Sequence, residues 1–166
     1  MSMTIDTREF RRAMGLFATG VTVITAQIGD EVHGMTANAV TSVSLDPLLV
    51  LVCIDRRARM ASYIVEAGQF GINVLNAEQE HLSRHFAGRP NPELQIEFDD
   101  LNGVPVLPES LTNLACDVER VIDGGDHLVV FGRVIGMQTV LEPGEPLLYY
   151  AGGYKRLEQE ELALAI

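Results

Sequence analysis

Positive charge is scarce in this chain of 166 residues: Lys and Arg total 12 against 23 Asp and Glu, a formal net charge of −11. That balance excludes a surface made for nucleic acid or for an anionic membrane, since both are held through clustered cations. Long apolar runs are missing too. None approaches the roughly 20 residues needed to span a bilayer, and the N-terminus lacks the basic-then-apolar order of a secretory signal. Cysteine is confined to Cys53 and Cys116, both in apolar sequence without ligand-like spacing. They read as small buried hydrophobes of a reducing compartment, the cytoplasm. With no internal repeat, low-complexity tract or dividing linker, residues 1–166 are expected to form one domain, and 47% hydrophobic content can supply its core.

Several motifs are absent as well. There is no G-x-G-x-x-G fingerprint, no P-loop and no G-x-S-x-G nucleophile elbow, so any nucleotide must bind in another way. His81 and His85 fall at i and i+4, a spacing that suits zinc. Glu80 precedes the first histidine instead of following it and no third ligand is evident, so no metal is expected.

The cations that are present cluster. Arg56, Arg57 and Arg59 lie within four residues, and the sole lysine, Lys155, adjoins Arg156. Such gatherings suit an anionic small molecule, or else a solvated helix start with ordinary ion pairs. Upstream, Gly34 to Pro47 is rich in small, hydroxyl and amide side chains that leave the backbone open to a flat polar ligand. It runs into Leu48 to Ile54, read as a strand too apolar to face water on either side. The turn Gly124-Gly125-Asp126-His127 offers two readings. It could admit a ligand beside a histidine oriented by Asp126, or it is a plain Asp-Gly hairpin.

Periodicity and punctuation place the elements. Asp6-Thr7-Arg8-Glu9 has capping-box character and opens a helix marked by Phe10, Met14 and Phe17, with Gly20 as its stop. Strands are predicted over Val21–Ile28, Glu31–Asn38, Leu49–Ile54 and Phe70–Leu75. Helices are predicted over Arg57–Ala67, and from the Asn76 cap through His85. Residues 89–112 read as an ordered connector. Long strands Leu114–Ile122 and Leu128–Val140, a short strand Leu147–Ala151 and a helical tail from Glu158 complete the chain. About seven strands joined by short turns favour a mostly antiparallel barrel over a doubly wound sheet.

In this order the segments resemble the short-chain flavin reductases, the small components of two-component flavin-dependent monooxygenases. The resemblance runs from Phe10 to Leu157. It is carried by Phe17-Ala18-Thr19-Gly20-Val21-Thr22-Val23-Ile24-Thr25, Gly34 to Pro47, Gly71-Ile72-Asn73-Val74-Leu75, His85-Phe86-Ala87-Gly88, Gly125-Asp126-His127 and Tyr149-Tyr150 through Tyr154. Asn73 through Glu80 into His85-Phe86-Ala87-Gly88 is most similar to the reductase components of 4-hydroxyphenylacetate 3-monooxygenases.

The resemblance implies an antiparallel Greek-key split barrel with a few flanking helices, a homodimer, and a flavin, FMN or FAD, near the subunit interface. It implies hydride transfer from NADH or NADPH and delivery of reduced flavin to a partner monooxygenase by diffusion. Relatives that reduce corrinoid cobalt or ferric complexes, and a non-catalytic flavin-binding module, are the alternatives. By the same resemblance, Thr36, Ala37, Asn38, Ala39 and Ser42 meet the isoalloxazine and ribityl chain. Cys53, Ile54, Asp55, Arg56, Arg57 and Met60 form the phosphate region, and Phe86 and Arg89 lie near the flavin or its adenylate. His127 and Asp126 approach the nicotinamide, while Tyr154 and Arg156 belong to a closing C-terminal segment, with Arg156 also on the nicotinamide side. No residue is expected to act as acid, base or nucleophile. Two positions depart from the family pattern: Ala58 replaces the usual serine, and Asp46-Pro47-Leu48-Leu49 replaces Asp-Pro-Pro-Leu.

Overall fold

The computed structural model describes residues 5–142 and 144–157; the helical tail expected from Glu158 lies outside them. Asp6 caps helix α1 (Thr7–Met14) by accepting a hydrogen bond from the Arg8 N–H. Phe17 does not join the helix. The Gly15 carbonyl accepts from the Ala151 N–H at 2.8 Å, which draws the chain out of the helical ladder toward strand β1 (Thr19–Gly20). Gly29-Asp30 then joins β2 (Thr22–Ile28) to β3 (Glu31–Ala37), and Asp46-Pro47, with a cis peptide, joins β4 (Val40–Leu45) to β5 (Leu48–Asp55).

Helix α2 (Arg59–Ala67) begins two residues later than its pattern predicts. The Asp55 carboxylate accepts from the Arg57 N–H at 2.8 Å, a local turn that competes with helix. After β6 (Gln69–Val74), Asn76 and Gln79 form a capping box that opens a short 3-10 turn and then α3 (Glu80–Phe86). The connector holds a small hairpin, β7 (Asp99–Leu101) and β8 (Val104–Val106). The long strands are β9 (Thr112–Gly124) and β10 (His127–Thr139), turned by Gly125-Asp126 with Gly125 at φ 79°. Gly152-Gly153 does not end the structure. It turns β11 (Leu148–Tyr150) into a further strand, β12 (Gly153–Lys155), so that Tyr149 pairs with Tyr154.

Seven strands form one antiparallel sheet in the order β3-β2-β6-β9-β10-β5-β4. Its two edge strands, β3 and β4, are separated in sequence only by Asn38 and Ala39. A link that short spans only about 11 Å, so the two edges must meet. The sheet therefore curls on itself, helped by two register shifts in the β9–β10 pairing, and stays split between β3 and β4. β1, β11 and β12 form a separate small sheet beside the opening.

Phe70, Ile24, Ile54, Ile64 and Met60 fill the barrel together with Cys116, so α2 plugs one end. A second cluster of Val21, Val23, Leu75, Leu107 and Leu147 seats Leu82 and Phe86 of α3. Burial drives the Cys116 thiol up to about 12, which makes it inert packing. β5 is not buried on both faces as its composition predicts: Val50, Val52 and Ile54 point inward, while Leu49, Leu51 and Cys53 are only half-covered and Leu48 is exposed. No helix among the described residues is long and apolar enough to cross a membrane.

Candidate functional site

Splitting the barrel leaves β3 as an edge strand, and an edge strand keeps half its N–H and C=O groups outside the ladder. At its end Thr36, Ala37 and Asn38 line a cavity of about 190 Å³, faced by Val21, Ser83, Ala87, Tyr149 and Tyr154. A second cavity of about 260 Å³ shares Ala87, Tyr149 and Tyr154 and adds Arg84, Arg89 and the Gly152-Gly153 turn. The two make one groove with a polar backbone edge on one side and aromatic rings on the other.

The α3 helix sets the groove's width. Gly34 of β3 lies flat against Phe86, and a Cβ there would collide with the ring. Phe86 thus supports the groove from behind without lining it. The Thr36 hydroxyl donates to the Ser83 carbonyl at 2.6 Å, which turns it away from any ligand, so Thr36 offers backbone. Ser83 Oγ and the Tyr154 hydroxyl are 2.8 Å apart. Arg84, held by two hydrogen bonds to Glu80, lies 4.8 Å over the Tyr154 ring, and Tyr149 meets that ring edge-on at 5.5 Å.

Beyond Asn38, the Cys53 N–H donates to the Ala39 carbonyl at 3.0 Å, which extends the β4–β5 ladder by one position and carries the line of the groove to the end of β5. Ser42 sits on β4, exposed, opposite Val50. The Ile54 and Met60 side chains are in the core, so only their backbone can face a ligand.

Just beyond Cys53, Arg56, Arg57 and Arg59 are each engaged with a carboxylate. Arg57 grips Asp55 through Nε and Nη2, at 3.1 and 2.7 Å, and holds that carboxyl far below the usual range. Arg56 donates to the Gly125 carbonyl at 2.8 Å and pairs with Asp123 at 2.6 Å; the Gly125 N–H and then Arg56 lower the Asp123 carboxyl. Arg59 pairs with Glu31. What the region leaves open is the start of α2, where Ala58 supplies no side-chain acceptor for the first N–H groups.

His127 is the register partner of Asp55, so the β9–β10 turn stands beside this helix start. Its Nδ1 lies 2.7 Å from Asp126 Oδ1, and that hydrogen bond lowers the Asp126 carboxyl below its ordinary value. With the carboxylate accepting at Nδ1, the proton sits on that nitrogen and Nε2 is left as an acceptor.

Arg156 is placed elsewhere. It pairs with Glu78 at 3.0 Å and Glu145 at 3.7 Å, lining a cavity of about 400 Å³ on another face. His81 and His85 bond backbone, to the Glu78 carbonyl and the Asn91 N–H. Ser83 and Arg84 carry no motif by themselves. The pairing of Tyr149 with Tyr154 was open to reading from two aromatics flanking Ala151-Gly152; the part played by Ser83 was not.

A groove that offers alternating backbone donors and acceptors, an asparagine amide and an aromatic wall suits a flat heteroaromatic ring, as a flavin is. The comparisons agree. The model of the flavin reductase like domain matches residues 14–158, and the chain belongs to that family. It is 48% identical over 153 residues to an NADH-dependent flavin reductase of Rhodococcus sp, covering 90% of this chain and 86% of the relative. It is 39% identical to the reductase component of 4-hydroxyphenylacetate 3-monooxygenase of Thermus thermophilus, over 89% of this chain and 95% of that one. The solved structure of flavin reductase PheA2 in its native state superposes with a TM-score of 0.90 at 42% identity, covering 93% of this chain and 100% of that chain.

Proposed function

We propose that this single domain seats the ring of FMN or FAD between the Thr36–Asn38 edge and Tyr154, accepts NADH beside it, and releases reduced flavin to a separate monooxygenase. The carrying observation is the split itself, which leaves the outer edge of Thr36–Asn38 without a strand partner, opposite an aromatic wall. The chain's relatives act as NADH-dependent flavin reductases and as reductase components of monooxygenases. When bound, the flavin supplies the redox chemistry, accepting a hydride from the nicotinamide.

The residues hold and orient. Main-chain groups of β3 and the Asn38 amide read the polar edge of the ring, and Tyr149 and Tyr154 cover it from water. The uncapped start of α2 offers N–H groups and the positive end of the helix to a flavin phosphate. His127, held by Asp126, presents Nε2 to the nicotinamide carboxamide.

The working unit is a homodimer. None of the α1 residues is buried, and its apolar face carries on into Leu16 and Phe17, the latter 71% exposed. Leu45 of β4 is 88% exposed and Leu48 of β5 also faces outward. A second copy of this chain accounts for so much uncovered apolar surface. Two free thiols suit work in the cytoplasm. A solution mass of one chain would overturn the dimer.

Steady-state oxidation of NADH with added FMN, FAD or riboflavin tests the activity. Flavin-dependent turnover is expected; its absence with all three would sink the reading. His127→Ala should raise the KM for NADH about tenfold, the equivalent of one hydrogen bond of about 1.4 kcal/mol, and leave the flavin KM within twofold. Unchanged NADH kinetics would remove His127 from the site.

A further inference from the structure

The one residue of α3 that is fully buried is a serine, 0% exposed, while the helix's own leucine and phenylalanine, Leu82 and Phe86, are only partly covered. A hydroxyl taken out of water needs a partner. Ser83 has one on each side of the groove. Its Oγ meets the Tyr154 hydroxyl at 2.8 Å, and its carbonyl accepts from the Thr36 hydroxyl at 2.6 Å. These partners lie 71 and 47 residues away in sequence, on β12 and β3.

We infer that Ser83 is a positioning residue that ties the aromatic wall of the flavin groove to its backbone-reading edge. This rests on the flavin reading given above. Apart from this bond, Tyr154 is held by non-directional contacts. β12 is three residues long and pairs within the small sheet only with β11, and the Tyr154 ring meets Arg84 above it, Tyr149 at its edge and the margin of the second core cluster. A hydroxyl anchor in α3, which follows the Asn76-capped 3-10 turn and packs through Leu82 and Phe86, converts this short hairpin into a wall of fixed spacing. Fixed spacing matters for two stacked rings, because misplacement of a cover by an ångström lets water in and lowers the share of well-oriented complexes.

Ser83→Ala tests the link with little risk to folding, since it removes one oxygen and keeps the carbonyl for Thr36. Tyr154→Phe deletes the other half of the bond. The first measurement needs neither NADH nor flavin: hydrogen exchange of amides 153–155 should quicken about tenfold in each variant. The second is quenching of riboflavin fluorescence, where each variant should weaken binding about fivefold. The double variant should be no weaker than either single, as befits one shared bond. The flavin KM should follow binding, and kcat should fall by about twofold to fivefold as the share of well-oriented complexes drops.

Unchanged exchange at 153–155 in Ser83→Ala would overturn the proposal. So would additive losses in the double variant, or a lowered thermal midpoint with exchange and flavin binding intact, which is the behaviour of a merely structural serine. A wild-type protein that binds riboflavin without oxidising NADH would defeat the reductase reading and leave the clamp intact.

Discussion

Replacing Asn73 by alanine is expected to destabilise the protein by about 3–5 kcal/mol, the largest effect of any single truncation considered. Asn73 is 0% exposed, and its amide is used at both ends. Nδ2 donates to the Val23 carbonyl at 2.8 Å and to Thr25 Oγ1 at 3.2 Å. Oδ1 accepts from the Leu107 N–H at 2.7 Å and from Asn113 Nδ2 at 2.8 Å. One side chain thus joins β2, β9 and the end of the connector. Alanine would leave the Leu107 N–H buried without an acceptor, which alone costs about 1–3 kcal/mol, and the three other lost bonds together add about 2 kcal/mol. The urea midpoint, read at unchanged slope, measures the loss. A loss under about 1 kcal/mol would mean that water replaces the amide.

Gly34→Ala should injure stability and flavin binding together. The new Cβ would strike the Phe86 ring, and the core behind Phe86 leaves it no easy retreat, because Leu75, Leu107 and Leu147 are fully buried there. Overpacking of this kind costs about 1–3 kcal/mol. Relief comes by pushing α3 away from β3, and that displaces Ser83 and the wall it holds. Flavin affinity should therefore fall tenfold or more in a fluorescence titration. Adding Phe86→Leu should recover much of both losses, since the shorter side chain frees the space over residue 34. Wild-type affinity in Gly34→Ala would show that α3 does not set the width of the groove.

Much of the fold was legible because its signals are local. Gly29-Asp30 and Gly125-Asp126 announce hairpins, Asn76 with Gln79 announces a helix start, and apolar alternation marks the strands. Misreadings came where a distant or polar group intervened. The Ala151 N–H stops α1 before Phe17, and the Asp55 carboxylate delays α2 to Arg59. The outer face of β5 is only half-covered by this chain, although its residues read as core.

The site divides in the same way. Thr36 to Asn38 were identifiable from small side chains and resemblance, and the structure sets them at the groove with Tyr154. The arginines were identifiable as a cluster, but each is paired with a carboxylate: Asp123 for Arg56, Asp55 for Arg57 and Glu31 for Arg59. What remains for an anion is the bare start of α2, which Ala58 leaves uncapped.

The sequence by itself determined the class of fold, the family, and the chemistry its small-residue edge can support, because composition, strand alternation and turn residues act over a few neighbouring positions. Only the tertiary structure decided that β3 and β4 meet without pairing, that Arg156 turns to Glu78, and that a buried serine joins both walls of the groove. Those facts depend on contacts between residues far apart in the chain, such as the 71 positions from Ser83 to Tyr154. No local pattern encodes such a contact, since it exists only once the sheet has curled and brought its edges together.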